Sequence, residues 1–280
     1  MNEKVKEAAR ILIDLALKYD VGEGDITTNN IVPSEIRRKA KMVAKSDGVI
    51  AGLPIAEMVF RKLDPEVIWK ELVEEGAKVK NGDVLVEFEG SYRALLTGER
   101  TALNFLQRLS GIATMSAKYA DAVKDFHTVI LDTRKTLPGF NWLDKYAVKK
   151  GGASNHRYGL YDMAMIKDNH IEVAGSITAA VMAVRANIDH GIKIEVETTT
   201  LAQVQEAIDA TADIIMLDNM DLETMRKAVE LIAGRAKIEA SGNITLERLR
   251  DVAATGVDFI SIGALTHSVS AMDISQRIED

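Results

Sequence analysis

Apolar residues recur at helical spacing at the start of the chain and again in its middle. They predict an amphipathic helix over residues 5–19, followed by a loop at Gly22, and a second helical stretch over residues 97–125. Between residues 39 and 90, short alternating strand patterns surround one helix near residues 53–63. This order of elements predicts a mixed α/β arrangement for the N-terminal part of the chain.

After residue 128 the pattern changes to short apolar or β-branched strands that alternate with helices. Six strands are predicted, at residues 129–131, 163–166, 193–197, 213–217, 237–240 and 258–262. Repeated βα units build a parallel sheet, and six strands are fewer than the eight of a regular α/β barrel. The predicted fold class is therefore α/β, with an N-terminal α/β domain and an incomplete α/β barrel.

Composition limits the chemistry. The 280 residues include five histidines and no cysteine, which excludes a disulfide scaffold, a thiolate metal site and a cysteine nucleophile and leaves oxygen ligands for any metal. Acidic residues outnumber Lys and Arg by 42 to 35, a net charge of -7, which argues against nucleic acid or an anionic membrane as the main partner. The first helix matches neither a signal peptide nor a membrane span. We expect a cytoplasmic protein.

Polar or small residues follow the predicted strands. They are Asp132-Thr133-Arg134-Lys135, Lys167-Asp168-Asn169-His170, Glu195 and Glu197, Asp218-Asn219, Ser241-Gly242-Asn243, and Gly263. In an α/β barrel the carboxyl ends of all strands meet at one face, where active sites are built. One such residue alone would be read as a helix cap, but six groups together predict a shared site.

Residues 132–170 contain seven Lys or Arg and four Asp or Glu, a local charge of +3. Four of these cations stand at strand ends or in a glycine-rich loop: Arg134, Lys135, Arg157 and Lys167. An unpaired buried cation costs several kcal/mol, whereas each charge-assisted bond to a carboxylate or phosphate returns about 1.5–3 kcal/mol. The pattern predicts a small polyanionic ligand. Lys145, Lys149 and Lys150 are instead expected on the solvated face of a helix.

Glu195 and Glu197 are two residues apart on a strand, so both side chains leave the same face. We expect that face to be the barrel interior. With Asp218 these carboxylates could bind sugar hydroxyls, hold Mg²⁺ or stabilise a developing cation. The alternative is a structural ion pair with Lys193 or Lys167.

Two glycine-containing strand ends are candidates for phosphate binding. Ser241-Gly242-Asn243 is predicted to lead into a helix near Thr245, and Gly263 ends the last strand; backbone amides at such helix starts bind phosphate, although a glycine there also serves close packing. No Walker P-loop or dinucleotide motif is present. His156, in a loop beside Arg157, is open to either a ligand role or simple solvent exposure.

The chain closely resembles the quinolinate phosphoribosyltransferase family over residues 20 to 270. The matching segments are Gly24 to Thr28, Gly98 to Leu106, Asp132 to Thr136 with Pro138-Gly139, Gly151-Gly152, Asn155 to Arg157 with Gly159-Leu160, Ile166 to His170, Glu195 to Glu197, Met216 to Met220, Glu239 to Asn243 and Gly263 to Ser268. Because they follow the family order, the resemblance is specific.

The resemblance implies an N-terminal α/β sandwich domain over residues 1–112 and an open, six- to seven-stranded α/β barrel over residues 113–269. A C-terminal tail of about residues 270–280 would pack back on the first domain. The resemblance also implies a homodimer, with a hexamer as the alternative, in which Arg100 of one subunit reaches the active site of the other.

The resemblance further implies the reaction and the residue roles. Phosphoribosyl would pass from phosphoribosyl pyrophosphate to the nitrogen of quinolinate with loss of CO₂, giving nicotinate mononucleotide, and Mg²⁺ would be the cofactor. The implied catalytic residues are Lys135, Lys167, Glu197 and Asp218. The implied substrate-binding residues are Arg100, Thr133, Arg134, Lys135, His156, Arg157, Lys167, Glu197, Asp218, Ser241, Gly242, Asn243, Gly263 and Ala264. The implied Mg²⁺ ligands, directly or through water or substrate, are Glu197 and Asp218.

Three rival interpretations remain at this point. A related molybdenum-transport-associated family shares the fold, but the run from Lys167 to His170 favours the enzyme. A nicotinate phosphoribosyltransferase would bind a monocarboxylate and need fewer cations. A non-catalytic phosphosugar-binding regulator would keep the phosphate loops without turnover.

Overall fold

The computed structural model describes residues 1–279. In chain order the elements are α1 (Glu3–Val21), α2 (Ile26–Ile31), β1 (Arg37–Ala44), β2 (Gly48–Val49), α3 (Leu53–Leu63), β3 (Ile68–Glu71), β4 (Lys78–Val79), β5 (Val84–Ser91), α4 (Tyr92–Ala122), β6 (Val129–Leu131), α5 (Asn141–Lys150), β7 (Ala164–Ile166), α6 (Asp168–Ala174), α7 (Ile177–Arg185), β8 (Ile194–Thr198), α8 (Leu201–Asp209), β9 (Ile214–Asp218), α9 (Leu222–Ile232), β10 (Lys237–Ser241), α10 (Leu249–Ala253), β11 (Phe259–Ser261), α11 (Ala264–His267) and β12 (Ile274–Ile278). In the described part of the chain, no helix is long and apolar enough to cross a membrane.

The first of two compact units is built around an antiparallel sheet with strand order β12-β1-β5-β3. Its aromatic core joins α3 to the sheet, because the ring of Phe60 lies 5.9 Å from Trp69 and 4.9 Å from Phe88. The C-terminal strand β12 pairs with β1 from Ala40↔Ile278 to Ala44↔Ile274. The tail therefore completes the edge of the sheet in this unit.

The first unit also includes residues 136–152, which the sequence assigned to the barrel domain. This segment contains α5, and two of its polar side chains explain the grouping. Tyr146 of α5 donates a short hydrogen bond to Glu75, and Arg108 of α4 binds Asp144 with N–O distances of 3.1 and 2.8 Å. By its contacts, this segment therefore groups with the first unit.

A glycine fixes the position of α5 against α4 within the first unit. A Cβ on Gly151 would lie 2.2 Å from the carbonyl oxygen of Ala113, so only glycine allows this approach. Gly151, part of a segment that matches the family, thus serves close packing in the structure.

Lys145 corrects a second expectation about α5. It is fully buried instead of lying on a solvated face. The reason is that α5 buries residues around most of its circumference, including Leu143, Ala147 and Val148, and packs against α1. Lys149 is exposed as expected.

The second unit, residues 118–135 and 153–264, contains a six-stranded sheet in the order β6-β11-β10-β9-β8-β7. Every neighbouring pair is parallel. A single parallel bridge between Leu131 and Ser154 adds a seventh short strand position beside β6. Among the described residues no pairing joins Ser154 to β7, so the barrel is open there. The predicted incomplete six- to seven-stranded barrel is confirmed.

Candidate active site

The predicted site residues of the second unit stand at the carboxyl ends of its strands. Arg134 and Lys135 follow β6, Lys167 follows β7, and Glu197, Asp218 and Ser241 lie at the ends of β8, β9 and β10. Gly263 and Ala264 follow β11. The parallel register sets Ser241 directly opposite Asp218. The strand ends thus bring most of the predicted residues to one edge of the sheet.

Two arginines at this edge repel each other. Burial lowers the pKa of Arg157 below its usual range, and the charge of Arg134 lowers it further. Arg157 donates to the carbonyl oxygen of Met163 at 3.0 Å, which holds the half-buried guanidinium in place. Arg134 is exposed, and Thr133 accepts a hydrogen bond from the backbone of Lys135 at 3.0 Å. Cations held together in this way favour binding of an anion.

Lys167 and Glu197 form an ion pair at this edge, with Nζ 3.2 Å from Oε2. An ion pair with Lys167 was the alternative raised for Glu195 and Glu197, and the structure assigns it to Glu197. The side chain of Lys167 is 47% exposed and that of Glu197 is 20% exposed. Lys167 is exposed and Glu197 is half-buried, so both groups remain accessible to a ligand.

Asn219, for which the sequence predicted no role of its own, connects Asp218 to the loop at residues 241–243. Its amide donates to Oδ2 of Asp218 at 2.9 Å, and its Oδ1 accepts from the side chain of Asn243 at 3.1 Å. Asn219 and Asn243 have φ angles of 53° and 48°, and Gly242 has a φ of 95°. A Cβ on Gly242 would lie 2.3 Å from Oδ1 of Asn219. The glycine therefore makes room for this amide.

The predicted helix start near Thr245 is wrong. Helix α10 begins at Leu249, and residues 242–248 form a turn. Gly242 and Asn243 take left-handed backbone at the end of the strand, and residues 246–248 form a turn directly before the helix. The helix after Gly263 contains only four residues, Ala264 to His267. Any phosphate at these strand ends would be bound by loop backbone and not by a long helix terminus.

A buried polar cluster lies inside the barrel. Nε2 of His156 is 3.1 Å from Oε2 of Glu195 and 3.3 Å from Oε2 of Glu239. All three residues are buried, with 8% of His156 and none of the two glutamates exposed. The backbone N–H of His156 donates to Asp132 at 2.9 Å, and Nδ1 accepts from the N–H of Arg157 at 2.7 Å. His156 is thus a buried, anchored residue and not a solvent-facing one.

The two carboxylates of this cluster favour the protonated form of the His156 ring. Burial alone would lower the pKa of His156, but hydrogen bonds to Glu195 and Glu239 and the charges of these groups raise it to about 10. Burial raises the pKa of Glu195 above its usual range, partly offset by its hydrogen bond to His156. The contacts place a proton on Nε2, which faces both carboxylates. The two carboxylates favour a second proton on the ring, whereas the hydrogen bond that Nδ1 accepts from Arg157 opposes it.

Two sets of residues have the chemistry of a metal site. His156, Glu195 and Glu239 offer ligand atoms that all lie within 4.8 Å of one another. Glu197 and Asp218, the implied Mg²⁺ ligands, lie at the ends of the neighbouring strands β8 and β9. Their oxygens are the type of donor that Mg²⁺ prefers, since it binds one or two carboxylates together with substrate phosphates.

A cleft of about 750 Å³ opens at the opposite, amino-terminal ends of the strands. Two of its cations have acidic partners, with Lys237 2.6 Å from Asp258 and Arg185 2.8 Å from the lining residue Asp213. A third lining cation, Arg235, donates to the backbone carbonyl oxygens of Leu231 and Ile232.

Arg100 lies in the first unit, on an exposed position of α4. The segment from Gly24 to Thr28 is connected to the same helix. Asp25 caps α2 by accepting from the backbone of Thr28 at 2.9 Å, and its other oxygen accepts from the hydroxyl of Thr97 at 3.2 Å. Thr97 is one helical turn before Arg100, so this motif has a structural role that fixes α2 beside Arg100.

Comparison with protein-family models identifies both parts of the chain. The model described as "Quinolinate phosphoribosyl transferase, N-terminal domain" matches residues 25–110, and the model described as "Quinolinate phosphoribosyl transferase, C-terminal domain" matches residues 112–277. A "Probable nicotinate-nucleotide pyrophosphorylase [carboxylating]" of Synechocystis sp. is 49% identical over 94% of this chain and 90% of that protein. A protein of the same description from Bacillus subtilis is 47% identical over 92% of this chain and 89% of its own length.

Solved structures show the same similarity. The crystal structure of NadC from Streptococcus pyogenes is 42% identical, with a TM-score of 0.93 over 97% of each chain. The nicotinate-nucleotide pyrophosphorylase from Francisella tularensis is 39% identical, with a TM-score of 0.94 over 98% of this chain and 96% of that chain. A human nicotinic acid phosphoribosyltransferase, 13% identical with a TM-score of 0.60 over 90% of this chain and 72% of that chain, shares the fold alone.

Proposed function

Because the chain belongs to the quinolinate phosphoribosyl transferase family, we propose that it transfers phosphoribosyl from phosphoribosyl pyrophosphate to the nitrogen of quinolinate. Loss of CO₂ then gives nicotinate mononucleotide in de novo NAD biosynthesis. The observation that carries the proposal is the pair of mutually repelling arginines, Arg134 and Arg157, at the edge that also holds Lys167. Quinolinate is a dianion, so it supplies the negative charge that this cluster favours.

The reaction makes different demands on the cations and the carboxylates. The bond from the ribosyl carbon to pyrophosphate breaks, and the pyridine nitrogen bonds to that carbon. Positive charge develops at the ribosyl carbon in the transition state, and Glu197 and Asp218 would stabilise it while Lys135 and Lys167 bind the leaving pyrophosphate. The quaternised nitrogen then stabilises the electron pair that is left on the adjacent carbon when CO₂ departs. A proton adds to this carbon in place of the lost carboxylate.

The substrate-binding roles in the proposal follow the arrangement of the strand ends. Thr133, Arg134 and Arg157 would surround the quinolinate carboxylates, and His156, whose two ring nitrogens already contact Glu195, Glu239 and the backbone of Arg157, would support Arg157. The loop backbone at the remaining strand ends would bind the 5-phosphate: Ser241, Gly242, Asn243, Gly263 and Ala264. The observation that supports this assignment is the left-handed backbone at Gly242 and Asn243, because such turns direct consecutive N–H groups toward an anion.

Mg²⁺ is part of the proposal as the cofactor. Glu197 and Asp218 would hold it, directly or through water or substrate, since both carry hard oxygen donors at neighbouring strand ends. When bound, the ion would neutralise charge on the pyrophosphate. We expect chelation with EDTA to abolish turnover and added Mg²⁺ to restore it. An undiminished rate in EDTA would reject the metal role.

A homodimer, with a hexamer as the alternative, is also part of the proposal, with Arg100 contributed to the partner's site. Two features of the first unit support it. Arg100 is exposed, and α1 exposes an apolar stripe of Ile11, Leu15 and Tyr19, which are 62%, 48% and 78% exposed. Exposed apolar stripes mark interaction surfaces.

The cytoplasmic location stays a prediction, since some plant relatives carry mitochondrial or chloroplastic in their names.

The decisive experiment measures CO₂ and mononucleotide release by the purified protein from quinolinate, phosphoribosyl pyrophosphate and Mg²⁺, with nicotinate as a parallel substrate. We expect release with quinolinate and little turnover of nicotinate. Faster turnover of nicotinate would make the substrate assignment wrong. Binding of phosphoribosyl pyrophosphate by a folded protein without turnover of either acid would support the regulator instead.

A further inference from the structure

The polar cluster inside the barrel occupies a layer that is normally apolar. His156 follows the strand position at Ser154, Glu195 lies in β8, and Glu239 lies in β10. Glu195 and Glu239 lie on alternate strands of the sheet, with β9 between them, which is the arrangement in which strands contribute side chains to one interior layer. His156 joins them from the loop after the Ser154 position. Branched apolar residues dominate such layers. A layer made of one imidazole and two carboxylates therefore requires a reason.

Stability does not supply that reason. Replacing buried ionic groups by apolar residues of similar volume is often neutral or stabilising, because burial of charge costs more than the pairing returns. Oε1 of Glu195 and Oε1 of Glu239 accept no hydrogen bond from the described residues, so the layer is incompletely satisfied. A chain selected only for stability would gain by replacing it.

The layer is hydrogen-bonded to the loop that carries Arg157. The imidazole is held on one side by the two carboxylates at 3.1 and 3.3 Å and on the other by the N–H of Arg157 at 2.7 Å. Asp132 fixes the same loop, since it accepts from the backbone of His156 at 2.9 Å and from the side chain of Asn155 at 2.6 Å. Rotation of the ring would therefore move the backbone from which the Arg157 guanidinium extends.

The layer also lies directly below the strand ends of the candidate site. Glu195 and Glu197 share one face of β8, and Glu239 and Ser241 share one face of β10, because alternate strand residues point the same way. The two glutamates are therefore the next interior side chains beneath Glu197 and Ser241. The layer links three strand positions whose ends would have to stay in register around a substrate.

We infer that Glu195 and Glu239 are positioning residues that orient the His156 ring and, through its Nδ1, the backbone of Arg157 toward the carboxylates of the dicarboxylate substrate. This inference rests on the proposed function. It assigns no direct substrate contact to the two glutamates, which are fully buried. Replacing them should therefore weaken binding of quinolinate more than binding of phosphoribosyl pyrophosphate.

The test compares replacements that differ only in whether they can accept a hydrogen bond from Nε2. Glu239→Met keeps the approximate volume without an acceptor, and Glu239→Gln keeps shape and acceptor but removes the charge. We expect Glu239→Met to raise the KM for quinolinate at least about tenfold, the effect of losing one such hydrogen bond, with a smaller change in the KM for phosphoribosyl pyrophosphate. Glu239→Gln should restore most of the quinolinate affinity.

Ile238→Val is the matched control. Ile238 is the preceding, buried residue of β10 and points to the opposite face. We expect this variant to lower Tm without changing either KM. Should Glu239→Met fail to fold, Glu239→Asp, which withdraws the acceptor by one methylene group, should still raise the quinolinate KM selectively.

Calorimetry with phthalate separates failure of this inference from failure of the proposed function. Phthalate carries two adjacent carboxylates but lacks the nucleophilic nitrogen, so its binding needs no turnover. We expect weaker phthalate binding by Glu239→Met than by the wild type or Glu239→Gln. Equal binding by all folded variants would overturn the inference. So would one equivalent of bound metal in the wild-type protein that Glu239→Gln lacks, because the layer would then be a metal site.

Discussion

At the scale of single residues, the candidate site contains two arginines that repel each other. Arg134 is exposed and lowers the pKa of Arg157 by repulsion. The two arginines are thus held at the same edge for a reason other than their own pairing. An anionic ligand removes the repulsion, which explains why acidic substrates suit a protein whose overall charge is negative.

Arg134→Ala should therefore separate binding from stability. We expect kcat/KM for quinolinate to fall at least about a hundredfold, the loss of a charge-assisted bond near 3 kcal/mol, while Tm stays the same or rises because the repulsion is relieved. Lys167→Ala should also lose activity with its fold intact. The control is Lys149→Ala, an exposed lysine of α5. Normal kinetics in folded Arg134→Ala would reject the assignment.

Asn219 gives a second prediction at this scale. Asn219→Gly keeps the left-handed backbone that φ of 53° requires but removes the amide that joins Asp218 to Asn243. We expect the KM for phosphoribosyl pyrophosphate to rise more than the KM for quinolinate. Steady-state kinetics with each substrate varied in turn would measure the difference, and an equal change in both values would argue against this linking role.

At the scale of elements, the short helix α2 depends on its first-turn contacts. Asp25 accepts from the backbone and the hydroxyl of Thr28, and the hydroxyl bond is only 2.6 Å. Arg93 of α4 binds the carbonyl oxygen of Val32 at the other end, at 2.8 Å. Six residues are too few for a stable isolated helix, so these contacts determine whether α2 forms.

Asp25→Ala should lower the free energy of unfolding by about 1 kcal/mol, the usual effect of removing an N-cap. Hydrogen bonds from Thr28 hold the pKa of Asp25 below its usual value. Its contribution is therefore present above the pKa of the unfolded chain and is lost as the pH falls through the lower folded-state value. Denaturant unfolding at neutral and acid pH would measure this: the difference between wild type and variant should shrink on acidification, and a constant difference would contradict it.

Most elements were predictable because their periodicity matches their burial. The strand at 129–131 is in the predicted position, and the helix predicted near 53–63 spans those residues. The failures have tertiary causes. Lys145 is buried because α5 is covered on most sides, and α10 starts late because the strand end turns at Gly242 and Asn243 and residues 246–248 form a second turn. The spacing of apolar residues along a sequence predicts neither how neighbouring elements cover a helix nor which residues take left-handed backbone.

The charged residues of the site were predictable from the sequence. The buried residues that hold them in position were not. Strand ends revealed Arg134, Lys167 and Glu197, because charges at the ends of buried strands stand out in a sequence. The partners of His156 were not recognisable, since Glu195 and Glu239 are far apart in the chain and meet only across the barrel.

At the scale of the whole molecule, the proposed dimer makes a prediction about mixtures. Arg100→Ala and Lys167→Ala should each be inactive alone. After subunit exchange, hybrid dimers should regain activity, because one site in each hybrid would contain both residues. The measurement is turnover before and after exchange, with exchange verified by differently tagged subunits. No recovery after verified exchange would count against a shared site.

The pairing of β12 with β1 also constrains how the chain can fold during synthesis. β1 is made early, but its edge partner at residues 274–278 leaves the ribosome more than two hundred residues later. Until then, one edge of β1 presents unpaired backbone groups, which are a template for pairing with other chains. The sheet of the first unit can therefore be completed only after translation of the entire second unit, and nascent chains released before residue 274 would be prone to aggregate.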